Sequence, residues 1–365
     1  MAAETKKASG GTNNLVMVLL NGRTLIVLVI LMIFFSLATP NFFTAGSLLS
    51  VAKHVALYGI LAIGMTFVII TGGIDLSVGA VVGLAGMVSA GFVQEGLTLT
   101  FAGVTIYFSV PVVVLLTLLM GVVLGMLNGL VITKLGVAPF IATLGTMYVW
   151  RGFANIRSNG ATFSSISGHV GLGNTGYGFF ASSVLGIPMG VIIFAIFAVI
   201  AGIVLRKTAF GWHVLAIGGN QNAARLSGIK VDRNLIIVYA ISGFCAAMVG
   251  IITTSQLMGA NPSTGTSWEM NAIAASVLGG TSMAGGVGTI LGTVEGAFVI
   301  GVINDGMAMC GVTEFWQQVI RGIVIIIAVV IDQVQRNLQA RMALQVRDEG
   351  RGDVGGDGAA GAAAE

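Results

Sequence analysis

The sequence predicts an all-α, polytopic integral membrane protein: about ten transmembrane helices with glycine-broken segments between them, and both termini in the cytoplasm. Three observations predict it. Of 365 residues only 8% are Asp, Glu, Lys or Arg, while 56% are hydrophobic and the mean hydropathy is +0.97. An ordinary soluble domain carries about 25% charge, and a fold with so little could not keep its surface wet. Second, stretches lacking any charged residue or His run 24–52, 55–74, 76–94, 96–133, 135–150, 170–205, 234–268 and 270–294, and 315–331 is broken only by Arg321. A helix needs about 20 residues to cross the hydrocarbon layer, so these stretches hold eight to ten crossings. Third, twelve of the 17 basic residues fall in three segments. They are Lys6, Lys7 and Arg23; Arg206, Lys207, Arg225, Lys230 and Arg233; and Arg336, Arg341, Arg347 and Arg351. Basic residues beside spans stay in the cytoplasm, so an even number of crossings separates each pair of segments, and ten satisfies that parity.

Taken in order, residues 1–23 form a polar, basic leader at the cytoplasmic face. The apolar run from Leu25 leads to Ser36-Leu37-Ala38-Thr39-Pro40, which lacks the small-x-small pattern of a cleaved signal; it is read as an uncleaved first span. Residues 24–334 form the transmembrane domain. Within it, 155–186 is rich in Gly, Ser, Thr and Asn and reads as an external loop, and 206–233 is the longest internal connection. Residues 335–365, ending in an Ala/Gly run, have the composition of a disordered cytoplasmic tail. A net charge of +3 gives nucleic acid no reason to bind. Cys245 and Cys310, far apart in apolar runs, read as small buried hydrophobes.

Two internal echoes occur. Gly72-Gly73 and Gly79 recur at Gly279-Gly280 and Gly286, and Gly121, Gly136-Val137 and Phe140 recur at Gly296, Gly311-Val312 and Phe315. They fit two diverged halves of the kind transporters use, or chance among 54 glycines. Gly121, Gly125 and Gly129, then Gly79 and Gly83, then Gly288, Gly292 and Gly296 recur every fourth residue, a spacing that lets helices approach closely in lipid.

Thr71–Gly79 and Gly279–Gly286 instead pair glycines with hydroxyls between apolar segments. Irregular backbone at membrane depth is tolerated only where protein or water satisfies it. Asp75 is expected to cap a helix beginning near Leu76, and the segment reads either as a cavity or gate or as a tight cytoplasmic turn. Ionisable groups near lipid depth are Lys134, Arg151, Glu295, Asp305 and Arg321. Lys134 and Arg151 lie near span ends, where snorkelling explains them; Glu295 sits mid-run and is a functional candidate by default. A neutral polar solute needs hydrogen bonds rather than ions. The candidates for lining a path or gate are therefore Asp75, Ser77, Asn128, Thr143, Thr146, Gln256, Glu295 and Asn304.

Enzymatic patterns fail. Lys207-Thr208 has no phosphate-binding glycine run before it. Gly171-Leu172-Gly173-Asn174-Thr175-Gly176 matches a dinucleotide pattern but lacks strand–helix context. His54, His169 and His213 are too scattered for a zinc site. No catalytic residue, metal or cofactor is expected. In the internal connection, Asn220 is a plausible N-cap, Ala223-Ala224-Arg225-Leu226 favours helix, and Gly228 can end it. That short helix suits either docking into a partner or a solvated position between spans.

These segments resemble the ribose/xylose/galactoside-type permease subunits of bacterial ABC importers. The resemblance rests on Pro40–Thr44, Gly64–Ile69, Gly73–Gly79, Pro139–Leu144, Ala216–Asn220, Arg225–Ile229 and Leu278–Gly286, together spanning about residues 40–332. It implies an inner-membrane permease for a monosaccharide or polyol, paired with a second permease subunit, a cytoplasmic ABC ATPase and a periplasmic sugar-binding protein. It also implies that Asn220, Ala223, Ala224, Arg225, Leu226, Ser227 and Gly228 form the coupling helix that docks on the ATPase. The chain departs from the pattern at its long tail and around 155–185. An ion-driven secondary transporter would use similar broken segments, and an intramembrane enzyme would need a catalytic set that the sequence does not display.

Overall fold

The computed structural model describes residues 22–101, 103–327, 329–330 and 333–334; the expected tail and all but the last two residues of the expected leader lie outside the described residues. The helices are α1 (Arg23–Ala38), α2 (Ala45–Ile70), α3 (Val78–Gln94), α4 (Val110–Lys134), α5 (Pro139–Ile156), α6 (Met189–Lys207), α7 (Ala209–Gly219), α8 (Gln221–Leu226), α9 (Val231–Leu257), α10 (Trp268–Leu278) and α11 (Ile290–Met309), followed by α12 over 314–327. Among the described residues α2, α4, α6, α9 and α11 are long and apolar enough to cross a membrane. The chain is a mostly helical, multi-pass membrane protein.

α2 is apolar on all sides, the pattern of a helix buried all round, and every residue from Val55 to Ile70 is buried. It packs against α6, α9, α10 and α11, while α9 also packs against α3 and α4. α4, α6 and α12 turn apolar faces outward, among them Leu115, Leu119, Ile196, Val199, Phe315 and Ile323, as lipid contact requires.

The two ends of the bundle differ. At one end Gln94 Nε2 donates to Ser164 O at 3.1 Å and Asn174 Nδ2 to Val93 O at 2.7 Å. Tyr177, fully buried, donates to Ser89 Oγ at 2.7 Å and accepts at its carbonyl from Ser255 Oγ at 2.7 Å. The glycine- and serine-rich connection is thus an ordered cap over α3 and α9. This end of the bundle also carries what an all-α expectation omitted: strands of two or three residues, paired as β1 (Leu97–Leu99) with β2 (Val104–Ile106), β3 (Phe163–Ser164) with β6 (Gly259–Ala260), and β4 (Ser183–Val184) with β5 (Ile187–Pro188). The other end gathers the start of α1 against the end of α10 (Thr24 Oγ1 donates to Leu278 O at 2.8 Å), the end of α4 beside the start of α9, and the helices α7 and α8.

The glycine rows act as close contacts. A Cβ on Gly121 would meet Gly243 O, one on Gly125 would meet Tyr239 O and Ala240 Cα, and one on Gly129 would meet Ile236 Cα; α4 and α9 therefore lie backbone to backbone. Gly292 and Gly296 face Gly279 and Ala275 across the α10–α11 contact. Gly79 and Gly83 differ in part from expectation: besides Glu269 of α10 and Arg151 of α5 they face the carbonyls of Gly265, Thr264 and Pro262, in the non-helical stretch 261–267. Cys310, expected buried, is exposed, since it falls just past the end of α11.

Gly125→Leu should lower the melting temperature of the detergent-solubilised protein, at an overpacking cost of about 1–3 kcal/mol. Gly145→Ala, with nothing within 4 Å of the added carbon, should leave it unchanged; equal melting of both variants would refute the close-contact account.

Candidate functional site

α2 ends at Ile70 and α3 begins at Val78; between them Thr71 N and Gly73 N still donate to Val68 O at 3.1 Å as the helix unwinds, and the chain then turns. Gly72 has φ +80°, a left-handed conformation that side chains rarely adopt, and a Cβ on Gly73 would collide with Tyr239 Oη. Asp75, only 1% exposed, then organises the break. Its Oδ1 accepts from Ser77 N at 3.0 Å and from Ser77 Oγ at 2.6 Å, and its Oδ2 accepts from Ser242 Oγ on α9 at 2.8 Å. Asn128 of α4 donates from Nδ2 to Ser77 Oγ at 2.8 Å, and Thr143 of α5 donates from Oγ1 to Ile74 O at 3.0 Å.

Four of the expected path residues, Asp75, Ser77, Asn128 and Thr143, therefore meet in one buried cluster on which α3, α4, α5 and α9 converge. Two details depart from expectation. α3 starts two residues later than Leu76, and Asp75 binds the amide of Ser77 in an Asx turn, so Ser77 occupies the N-cap position without a side-chain cap bond. Asp75 and Ser77 are both buried in the connection that joins the end of α2 to the start of α3. The sequence reading missed Ser242 and Tyr239: α9 carries several hydroxyl residues, Ser242, Thr253, Thr254 and Ser255 among them, and nothing in the sequence marks which of them reaches Asp75. Asn128 Oδ1 and Tyr239 Oη are buried with no hydrogen-bond partner among the described residues.

The other candidates lie apart. Thr146, half-buried, donates to Thr143 O at 3.2 Å. Gln256, near the far end of α9, lies beside Gly190. Glu295 is half-buried and makes no ion pair among the described residues. Asn304 is buried with both amide atoms unpartnered among the described residues. Next to it, Asp305 Oδ1 lies 2.7 Å from His54 Nδ1.

Arg151 overturns the snorkelling expectation. Its guanidinium turns inward, donating from Nη1 to Pro262 O and to Thr264 O (2.8 Å) and from Nη2 to Gly79 O at 3.2 Å. The reason is a further break, over 258–267, bracketed by the non-glycine left-handed residues Met258 (φ +46°) and Ser267 (φ +65°), whose carbonyls need donors. Glu269, buried at the start of α10, faces Gly79. Lys134 is exposed and pairs with Asp232 Oδ2 at 2.9 Å.

The internal connection forms two helices. Thr208 caps α7, and Asn220 Oδ1 accepts from Ala223 N at 3.0 Å to cap α8. Gly228, φ +84°, reverses the chain, letting Ile229 N donate to Ala224 O at 3.1 Å. Ala224 is buried against Ile217, Val231 and Leu235, whereas Leu226 is 90% exposed and Arg225 and Ala223 also face outward. A Cβ on Gly218 of α7 would overlap Ile70 O and Gly286 N, and Gly286 N itself donates to Ile70 O at 2.8 Å. α7 thus presses on both glycine-rich breaks.

Residues 47–329 match the family model for the branched-chain amino acid transport system / permease component. The chain belongs to that family. It is 44% identical over 306 residues to the ribose import permease protein RbsC of Bacillus subtilis, covering 84% of this chain and 90% of that one. It is 38% identical over 312 residues to the galactose/methyl galactoside import permease protein MglC of Haemophilus influenzae, covering 85% and 93%. With the xylose transport system permease protein XylH of Haemophilus influenzae it shares 35% identity, covering 84% and 94%. No solved structure matches the chain. Membership fits a helical assembly whose central polar residues hydrogen-bond to one another, and among the described residues no three His, Cys, Asp or Glu side chains are grouped to hold a metal ion.

Asp75→Ala would strand the Ser77 amide and the Ser77 and Ser242 hydroxyls. Each buried unpaired group costs about 1–3 kcal/mol, so its thermal midpoint in detergent should fall clearly below that of Asp75→Asn, which keeps an acceptor; identical midpoints would contradict the clasp.

Proposed function

We propose that the chain is the membrane-spanning subunit of an ATP-binding cassette importer that carries a monosaccharide or related polyol across the bacterial inner membrane. The observation that carries the reading is the match, over 84% or more of the chain, to proteins named for ribose, galactose and xylose import. In this reading residues 24–334 are the permease domain and cross ten times: α1 to α6 once each, then α9, the broken element made of 258–267 and α10, then α11 and α12. The alternation of helix ends between the two poles of the bundle supports that count. Both termini and the 206–233 connection then lie in the cytoplasm, with the leader 1–23 and tail 335–365 on that side and the 155–186 loop outside.

α8, with Asn220 as its cap and Ala223, Arg225, Leu226 and Ser227 outward, is the coupling helix for a cytoplasmic ATPase. An exposed Leu beside an exposed Arg suits a groove with an apolar floor and an acidic wall. Movement of α8 passes through α7 and Gly218 to Ile70 and Gly286, and so to both glycine-rich breaks. The Asp75–Ser77–Asn128–Thr143 cluster is the closed part of the path; Thr146, Gln256, Glu295 and Asn304 are further positions along it. A periplasmic sugar-binding protein delivers the solute and a second permease subunit completes the passage. The chain itself performs no hydrolysis, and lipid surrounds it.

The test is uptake into proteoliposomes containing the permease, its ATPase and its binding protein. Labelled ribose, galactose or xylose should accumulate only with ATP inside the compartment that holds the ATPase. Arg225→Glu should cut ATPase co-purification and uptake at least about tenfold, while melting stays unchanged, because Arg225 contributes only an exposed pair with Asp232 at 3.4 Å. Uphill uptake by the chain alone, driven by an ion gradient, would refute the reading.

A further inference from the structure

At the end of the bundle that holds α7 and α8, a groove of about 730 Å³ opens between α4 and α9. Its rim carries four cations, Lys134, Arg225, Lys230 and Arg233, and one carboxylate, Asp232. That carboxylate is shared by Lys134 at 2.9 Å and Arg225 at 3.4 Å; Lys230 and Arg233 make no ion pair among the described residues and face outward. The walls are apolar: Met126, Ile236 and Ile237. Met126 lies eight residues inside the last residue of α4, about 12 Å along the helix axis, so the groove descends from a charged rim into the hydrocarbon depth of two spanning helices. A second groove of about 490 Å³ adjoins it, sharing Lys230, Arg233 and Ile237 and reaching Phe210. Lys230 and Arg233 thus stand where the two grooves meet, the second lined by His213, Ser227 and Asn234 as well as by Phe210 and Ile237.

We propose that this groove binds an anionic phospholipid, its phosphate on Lys230, Arg233 and Lys134 and an acyl chain along Met126, Ile236 and Ile237. Excess positive charge at a membrane surface selects anionic headgroups, and the apolar depth below the rim fits an acyl chain and not a soluble protein, which cannot follow the groove into the bilayer. The inference rests on the membrane-spanning part of the reading above and is independent of which solute is carried.

Native mass spectrometry and thermal melting of the delipidated full chain in detergent test it. The probes are phosphatidylglycerol, phosphatidylcholine with the same acyl chains, and inorganic phosphate. Phosphatidylglycerol should be retained and should raise the melting temperature, while phosphatidylcholine and phosphate should do neither. With each cation contributing about fivefold, Lys230→Gln/Arg233→Gln should bind phosphatidylglycerol about 25-fold more weakly. Its lipid-free melting temperature, expected to match the unmodified chain, separates lost binding from lost folding; if it does not match, Lys134→Gln replaces it, with about fivefold weakening expected. Equal retention of the two lipids, unweakened binding by the variants, or full stabilisation by phosphate alone would overturn the proposal. So would displacement of bound phosphatidylglycerol by the purified ATPase, which would assign the groove to that partner. Uptake assays read the transport reading separately.

Discussion

Every backbone N–H and C=O placed away from water must find a partner, and in this protein that constraint bears hardest on the breaks in its helices. A lipid-embedded bundle satisfies its backbone by continuous helix, yet three packed segments between helices here abandon it: 71–77, 258–267 and 279–289. Each is held by a different device. Asp75 and Thr143 bind the first. The Arg151 guanidinium collects the carbonyls of the second. The third ties itself to the first through the Gly286 amide on Ile70 O. An unmade bond of this kind costs several kcal/mol in an apolar medium, so these side chains define where a helix can stop.

Close helix approach is the second condition. The reciprocal contact of Gly121 with Gly243 brings α4 and α9 together, and only then can Asn128 and Ser242, from different helices, reach the same Asp75–Ser77 turn. Packing and polar chemistry are therefore one arrangement. The same economy of space lets Gly218 of α7 lie against the carbonyl of Ile70.

The polar interior is built chiefly from hydroxyl, amide and carboxylate groups that bind one another. In the proposed reading these groups line the path of a neutral, many-hydroxyl solute, because hydroxyls can replace hydroxyls with no ion left unpaired.

The sequence by itself determined the membrane class, the close-packed glycine row of α4, the two glycine-rich breaks and the capped helix after Asn220, since all of these follow from composition and from local spacing or capping. It also singled out Asp75, Ser77, Asn128 and Thr143, because polar groups are conspicuous in apolar runs. What only the tertiary structure decided was which of them meet. Ser242 and Tyr239 look ordinary within α9, and Arg151 looks like an anchor at a span end, until the break at 258–267 turns its carbonyls toward the guanidinium. That break does carry a local mark, Asn261-Pro262 flanked by Gly259 and Gly265, and it makes its own turns, such as Thr264 N donating to Asn261 O at 3.0 Å; what the sequence could not show is that its remaining carbonyls meet the guanidinium of Arg151, more than a hundred residues away.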